Sequence, residues 1–187
     1  MAADTLPCRP PRCKVALMLR ILAKTFGLVA VLTAAGAAWA GQDMLGRFEA
    51  WDAVSATEGK EKLCYVAGLP KKSEGKYDKR GEASVLVTHW PGQKRFNVVT
   101  VNAGYDYKKD STVTLKIGSH SFKLFTKGDT AWTESPAADK TVVGYMKAGE
   151  TMTVTGESSR GTETVDTYDL SGMTAAMDAI DKACGVK

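Results

Sequence analysis

Histidine is almost absent from this chain of 187 residues: His89 and His120 are the only two. A three-histidine metal site is therefore excluded, and a two-histidine site needs carboxylates from distant segments. No Cys-x-x-Cys, Gly-x-Ser-x-Gly, His-Glu-x-x-His or phosphate-binding glycine loop occurs, so no cofactor, metal or nucleophile is signalled. His89 shares a strand face with Val85 and Val87, and His120 sits at a hairpin end; both read as structural or solvent-facing. The chain also lacks a bilayer-length apolar run near its start. The uncharged stretch Phe26 to Ala38 is thirteen residues, against the about 20 that a span requires. Arg9, Arg12, Lys14, Arg20 and Lys24 precede it, and Ala38 and Ala40 occupy positions −3 and −1 of an implied cut. Residues 1–40 thus read as a secretory signal peptide, with Gly41 the first mature residue and Met18 an alternative start. Residues 41–187 read as a single domain.

Removing the leader changes the other counts. Of 25 basic and 21 acidic residues, the leader holds five basic ones and Asp4, so the mature chain carries 20 of each. The basic pI of the whole chain belongs to the discarded segment, which argues against nucleic acid as a partner. Cys8 and Cys13 leave with the leader, and Cys64 and Cys184 remain. Two cysteines in an exported domain are expected to pair; two buried free thiols are the alternative. A bridge closing a loop of roughly 120 residues is worth about 4–5 kcal/mol in the chain-entropy model.

What the mature chain has in quantity is short period-two segments separated by turn residues, the pattern of an all-β sandwich or barrel. Strands are expected over 47–54, 61–67, 84–90, 94–102, 111–117, 120–126, 129–133, 150–157 and 162–169. Gly118-Ser119 forms a two-residue turn with glycine at the first central position, as a type II′ hairpin prefers. It sets Ile117 opposite His120, Leu115 opposite Phe122 and Val113 opposite Leu124, a register pinned because a one-residue slip would turn the apolar side chains outward. A second hairpin through Ser158-Ser159-Arg160-Gly161 is expected to place Met152 and Val154 across from Thr167 and Val165. Two segments have helical spacing. Met173, Ala176, Met177, Ile180 and Cys184 form one stripe after a Ser171 N-cap, with Asp178, Asp181 and Lys182 opposite and Gly185 as the stop. Burial of Met173, Met177 and Ile180 should contribute roughly 1.5–3 kcal/mol each. The other helix, about 137–147, follows Ser135-Pro136 and places Ala138, Val142 and Met146 on one side.

The order of these segments resembles the invasion associated locus B family of exported alphaproteobacterial proteins. The likeness runs from Phe48 and Trp51 through Leu63-Cys64-Tyr65, Val87-Thr88-His89-Trp90-Pro91 and Gly104-Tyr105, then Ile117-Gly118, Phe122, Leu124-Phe125, Ala131-Trp132 and Met146-Lys147-Ala148-Gly149. Its most specific part is Ser158-Ser159-Arg160-Gly161-Thr162-Glu163-Thr164, Asp166 to Gly172, then Ala176, Ile180 and Ala183-Cys184. The resemblance implies an immunoglobulin-like β-sandwich with a C-terminal α-helix and one further short helix. It also implies an envelope location and a name taken from host-cell entry. It supplies no catalytic residues. Asp169 stands where the motif form Tyr-Ser-Leu-Ser-Gly would have serine.

The loop from Lys71 to Arg80 carries Lys71, Lys72, Lys76, Lys79 and Arg80 against Glu74 and Asp78, with Tyr77 between them. It reads first as a solvated turn, and second as a contact for anionic envelope material or an acidic partner. Arg160, at a hairpin tip, reads the same way. The favoured function is a non-catalytic envelope protein that binds another envelope or host component. It is expected in the periplasm, with outer-membrane association or release as variants. A chaperone offering a strand edge and a small hydrolase with a scattered site are the alternatives.

Overall fold

The computed structural model describes residues 41–186; the signal-peptide reading of residues 1–40, including Ala38 and Ala40, falls outside them. Eleven strands and two helices follow in chain order: β1 (Gln42–Phe48), β2 (Trp51–Glu58), β3 (Glu61–Gly68), β4 (Lys72–Gly75), β5 (Ser84–Trp90), β6 (Arg95–Asn102), β7 (Thr112–Ile117), β8 (His120–Lys127), β9 (Thr130–Trp132), α1 (Pro136–Ala148), β10 (Thr151–Glu157), β11 (Glu163–Asp169) and α2 (Met173–Cys184). Every strand pairing is antiparallel, and the hydrogen-bonded order is β1-β2-β3-β5-β6-β9-β8-β7-β10-β11-β4.

The sheet folds over on itself, and one buried cluster takes side chains from both halves and both helices: Trp51, Val66 and Val87 from one half, Leu115, Leu124 and Met152 from the other, Met146 and Ile180 from α1 and α2. This is the mainly antiparallel, sandwich-like fold that the period-two pattern predicts, with the C-terminal helix that the spacing of Met173 to Cys184 predicts. Short β9 carries the hydrogen bonding between the halves, pairing with β6 on one side and β8 on the other. Trp51 Nε1 donates to the Asp169 carbonyl at 3.0 Å, which fastens the start of β2 to the end of β11.

The first hairpin has the predicted register, with Ile117, Leu115 and Val113 facing His120, Phe122 and Leu124. Gly118 sits at φ +57, as the first central residue of a II′ turn requires. The predicted bond joins Cys64 to Cys184 with Cα atoms 6.0 Å apart, which ties α2 to β3. Met173, Ala176, Met177 and Ile180 are buried as their spacing demands, and Gly185 stops α2 in a left-handed conformation.

Other expectations are corrected. Segment 47–54 spans a turn: Glu49 takes φ +51 and separates β1 from β2. Strands β1 and β4 are edge strands with mostly exposed side chains, so neither shows the alternation of a half-buried strand. The N-cap of α2 is Gly172, not Ser171. Ser171 instead donates its N–H to Asp169 Oδ1 at 2.9 Å, a local turn bond that serine in place of Asp169 would also be able to accept. On α1, Ser135 Oγ accepts the Ala138 N–H at 3.2 Å, and Asp139 rather than Ala138 joins Val142 and Met146 on the buried side. Asp181 is drawn inward onto His89, at 2.8 Å from Nε2.

The second hairpin is displaced by one residue. Met152 faces Tyr168, Val154 faces Asp166 and Thr155 faces Val165. An extra residue fits because Ser158 N–H donates to the Thr162 carbonyl while Ser158 Oγ accepts the Thr162 N–H. Thr164, Asp166 and Tyr168 therefore form the buried face of β11, and Val165 and Thr167 the outer one. Thr164 and Asp166 face inward because partners distant in sequence satisfy them, which alternation of apolarity cannot register; the Tyr168 hydroxyl is buried without a partner among the described residues.

Candidate functional site

The partner of β11's inward face is Arg80. Its Nη1 and Nη2 donate to Asp166 Oδ1 and Oδ2 at 2.7 and 2.6 Å, and both side chains are 5% exposed. Arg80 Nε donates to the Ala103 carbonyl at 2.7 Å, and the guanidinium carbon lies 5.0 Å from the Tyr105 ring centroid and 5.5 Å from that of Tyr77. Burial by itself would lower the Arg80 pKa, and the hydrogen bonds and charge of Asp166 more than reverse that, so the guanidinium keeps its proton. Three of the guanidinium N–H groups are thereby committed inside the fold, and Arg80 lines the cleft as part of its floor rather than as a free loop cation.

Above this pair three loops converge on a cleft of about 540 Å³. The first joins β4 to β5 and brings Lys76, Tyr77, Asp78 and Lys79; the second follows β6 and brings Gly104, Tyr105 and Asp106; the third is the β10–β11 tip with Ser158, Ser159, Arg160 and Thr162. Backbone bonds stitch them together. Gly81 N–H donates to the Gly104 carbonyl at 2.8 Å and Ser159 N–H to the Asp106 carbonyl at 2.7 Å, and Tyr107 bridges to Ser158. Gly104 takes φ +72, and a Cβ there would run into the Gly81 carbonyl oxygen, so only glycine permits this approach. Tyr105 Oη pairs with Thr164 Oγ1 at 2.7 Å. Burial pushes the Tyr105 phenol up, against the opposing effects of Thr164 and Arg80, so it stays neutral at physiological pH.

The two separate cation groups picked out in the sequence thus meet at one place. Lys76, Lys79 and Arg160 line the cleft and are exposed, and none has an ion-pair partner among the described residues. Asp78 and Asp106 are the opposing acids. Lys71 and Lys72 lie outside the cleft, held by Asp169 at 3.4 Å and Glu74 at 3.0 Å. Asp166, Tyr105 and the Ser158-Ser159 pair have roles that period and composition do not signal. Their only trace in the sequence is that all belong to the motif runs shared with the resembling family.

The histidines are elsewhere. His89 is fully buried; its Nδ1 accepts the Asn97 N–H at 3.0 Å, which leaves Nε2 to carry the proton toward Asp181. Burial lowers its pKa against the pull of Asp181, consistent with a neutral ring. His120 is exposed and stacks on Tyr145, with centroids 4.0 Å apart. Within the cleft, Ser158 Oγ is occupied by the Thr162 N–H. No cluster of three metal-ligating side chains occurs among the described residues, and none of their helices is long and apolar enough to cross a membrane. The arrangement offers cations, hydroxyls and aromatic faces around a rigid floor, a set suited to binding a polar or anionic group.

Comparison with known proteins places this arrangement. A family model described as "Invasion associated locus B (IalB) protein" matches residues 51–181. A crystal structure of invasion associated protein B from Bartonella henselae aligns with a TM-score of 0.52 at 12% sequence identity, over 74% of this chain and 95% of that one; at that identity the likeness concerns the fold. No curated protein matches. The matched segment runs from the first buried residue of β2 to the last turn of α2, and the chain belongs to the invasion associated locus B family.

Proposed function

We propose that this chain is an exported, non-catalytic protein of the cell envelope that binds an anionic component of the envelope or of a host through the cleft above Arg80. Any part in host-cell invasion then runs through that contact. The supporting observation is the convergence of Lys76, Lys79 and Arg160, from segments about 80 residues apart in sequence, on one cleft whose floor is fixed by the Arg80–Asp166 pair. A rigid floor matters because cations on a preorganised surface lose less conformational freedom on binding. Residues 1–40 act as the export signal in this reading. The disulfide fits an oxidising compartment such as the periplasm, where such bonds persist.

The test is in-cell crosslinking followed by mass spectrometry, comparing the unaltered protein with Lys76→Ser/Lys79→Ser/Arg160→Ser. A partner recovered reproducibly from the first and lost from the second supports the proposal, as does a contact that weakens steeply with salt. Equal recovery from both, with unchanged salt dependence, removes the cleft from the proposal. A second reading, an assembly factor offering a strand edge, is favoured by β1, a sheet edge on which Met44 is 64% exposed. Suppression of a client's aggregation that is lost on Met44→Lys supports it; no suppression at excess protein counts against it.

A further inference from the structure

A second cavity, of about 1000 Å³, shares no lining residue with the Arg80 cleft. It opens where β9 ends after three residues and the chain turns into α1. Its apolar wall is Phe96 of β6, Phe125 of β8 and Trp132 of β9, with Val186 beyond α2. Phe125 and Trp132 face each other across paired strands, ring centroids 5.7 Å apart, and Phe125 leaves 46% of its surface exposed. A cavity of this size that combines an apolar wall with a few convergent polar groups has the usual form of a ligand site.

The polar part of the lining is mainly cationic. Lys94, Arg95 and Lys140 line the same cavity, and none has an ion-pair partner among the described residues. Two acids are also present: Glu134 is exposed, while Asp139 is buried, with its Oδ1 receiving the Val99 N–H and the Thr133 hydroxyl, each at 2.8 Å. Arg95, whose guanidinium carbon lies 5.2 Å from the Trp90 ring centroid, is near enough for its charge to act on Asp139, so Lys94 and Lys140 are the freer cations. The rim is shaped by a tight turn: Lys94 takes φ +54 as the cap of the turn Pro91–Gln93, and Asn97 takes φ +59 while its N–H is held by His89.

We propose that this groove binds a single-chain anionic amphiphile, a long-chain fatty carboxylate. Its hydrocarbon lies against Phe96, Phe125 and Trp132, and its carboxylate sits among Lys94, Arg95 and Lys140. The apolar wall accounts for the chain, and the majority of unpaired cations accounts for the sign of the head group. The inference is independent of the Arg80 cleft.

The experiment is calorimetric titration of the disulfide-bonded protein with palmitate and with palmityl alcohol, both below their aggregation concentrations. Expected is a single saturable site for palmitate, with the alcohol weaker by about tenfold or more. Phe125→Asp and, separately, Lys94→Ser/Arg95→Ser/Lys140→Ser should each weaken palmitate by at least about tenfold. Lys76→Ser/Lys79→Ser/Arg160→Ser should leave it unchanged, which keeps this test separate from that of the cleft. The triple variant alters only exposed side chains, so it remains informative if Phe125→Asp fails to fold. Absence of saturable binding, equal binding of the alcohol, or palmitate affinity unchanged by the triple variant overturns the proposal. So does a dimer that only Phe125→Asp dissociates, or an apolar peptide that binds where palmitate does not; either would assign the groove to a protein surface.

Discussion

Replacing Asp166 with alanine leaves the Arg80 guanidinium in place with its carboxylate gone. Both side chains are 5% exposed, so water replaces the lost partner poorly, and two charge-assisted hydrogen bonds disappear at once. Breaking a buried pair from one side typically costs about 3–5 kcal/mol. A domain of this size is stable by about 5–15 kcal/mol in total, so at least about a fifth of its stability is at stake. In a thermal scan that corresponds to roughly 6–20 °C at about 2–4 °C per kcal/mol. The double variant Arg80→Met/Asp166→Leu removes both charges and should recover most of the loss, because isosteric apolar replacement of a buried pair is often close to neutral. A residual deficit of about 1–2 kcal/mol is expected, since the Ala103 carbonyl loses its donor and the stacking on Tyr77 and Tyr105 is weakened. Urea unfolding of the oxidised protein, with the single and double variants compared, measures both quantities. A cost below about 1 kcal/mol for Asp166→Ala, or a double variant as damaged as the single one, would refute the claim that this pair is buried and holds the cleft floor.

Four further outcomes are expected. Reduction, or Cys64→Ser with Cys184→Ser, should lower stability by about 2–5 kcal/mol in equilibrium unfolding, because the bond at separation 120 constrains the unfolded chain. His89 has a folded pKa below its ordinary value of 6.5, so the unfolded chain takes up a proton first; stability is full above pH 6.5 and falls as pH drops below it, and His89→Gln should flatten that part of the profile. Asp139 acts with the opposite sign: burial raises its carboxyl above 3.8, so its contribution is present at low pH and lost as pH rises through the folded value, a slope that Asp139→Asn should remove. Gly172→Ala should cost about 2 kcal/mol or more, because Gly172 holds φ +83 and an added Cβ would strike the Phe48 carbonyl oxygen; a thermal midpoint unchanged by the substitution would contradict the close approach of β1's end to α2.

Local and apolar features were legible before the fold was known. The Gly118-Ser119 hairpin follows from one turn and an apolar alternation with a single solution, and the α2 stripe from helical spacing over twelve residues. The disulfide follows from the expectation that residues 1–40 are a signal peptide, which leaves two cysteines to pair. Family membership was legible in the run Ser158 to Gly172, although no single residue of that run announces its role.

Tertiary structure decided the rest, and the reason is the same in each case. The inward face of β11 carries Thr164, Asp166 and Tyr168, residues that alternation assigns to solvent. Asp166 and Thr164 are inside because Arg80 and Tyr105 reach them from sequence distances of 86 and 59, whereas Tyr168 is buried for its ring, with its hydroxyl unpartnered among the described residues. Lys76, Lys79 and Arg160 become one surface only when three loops are stitched together, while Lys71 and Lys72, their neighbours in sequence, are left outside it. Spacing along the chain dictates periodic faces, since those depend on nearby backbone geometry. Which charges are free and which are committed depends on partners tens of residues away, and only the folded chain supplies them.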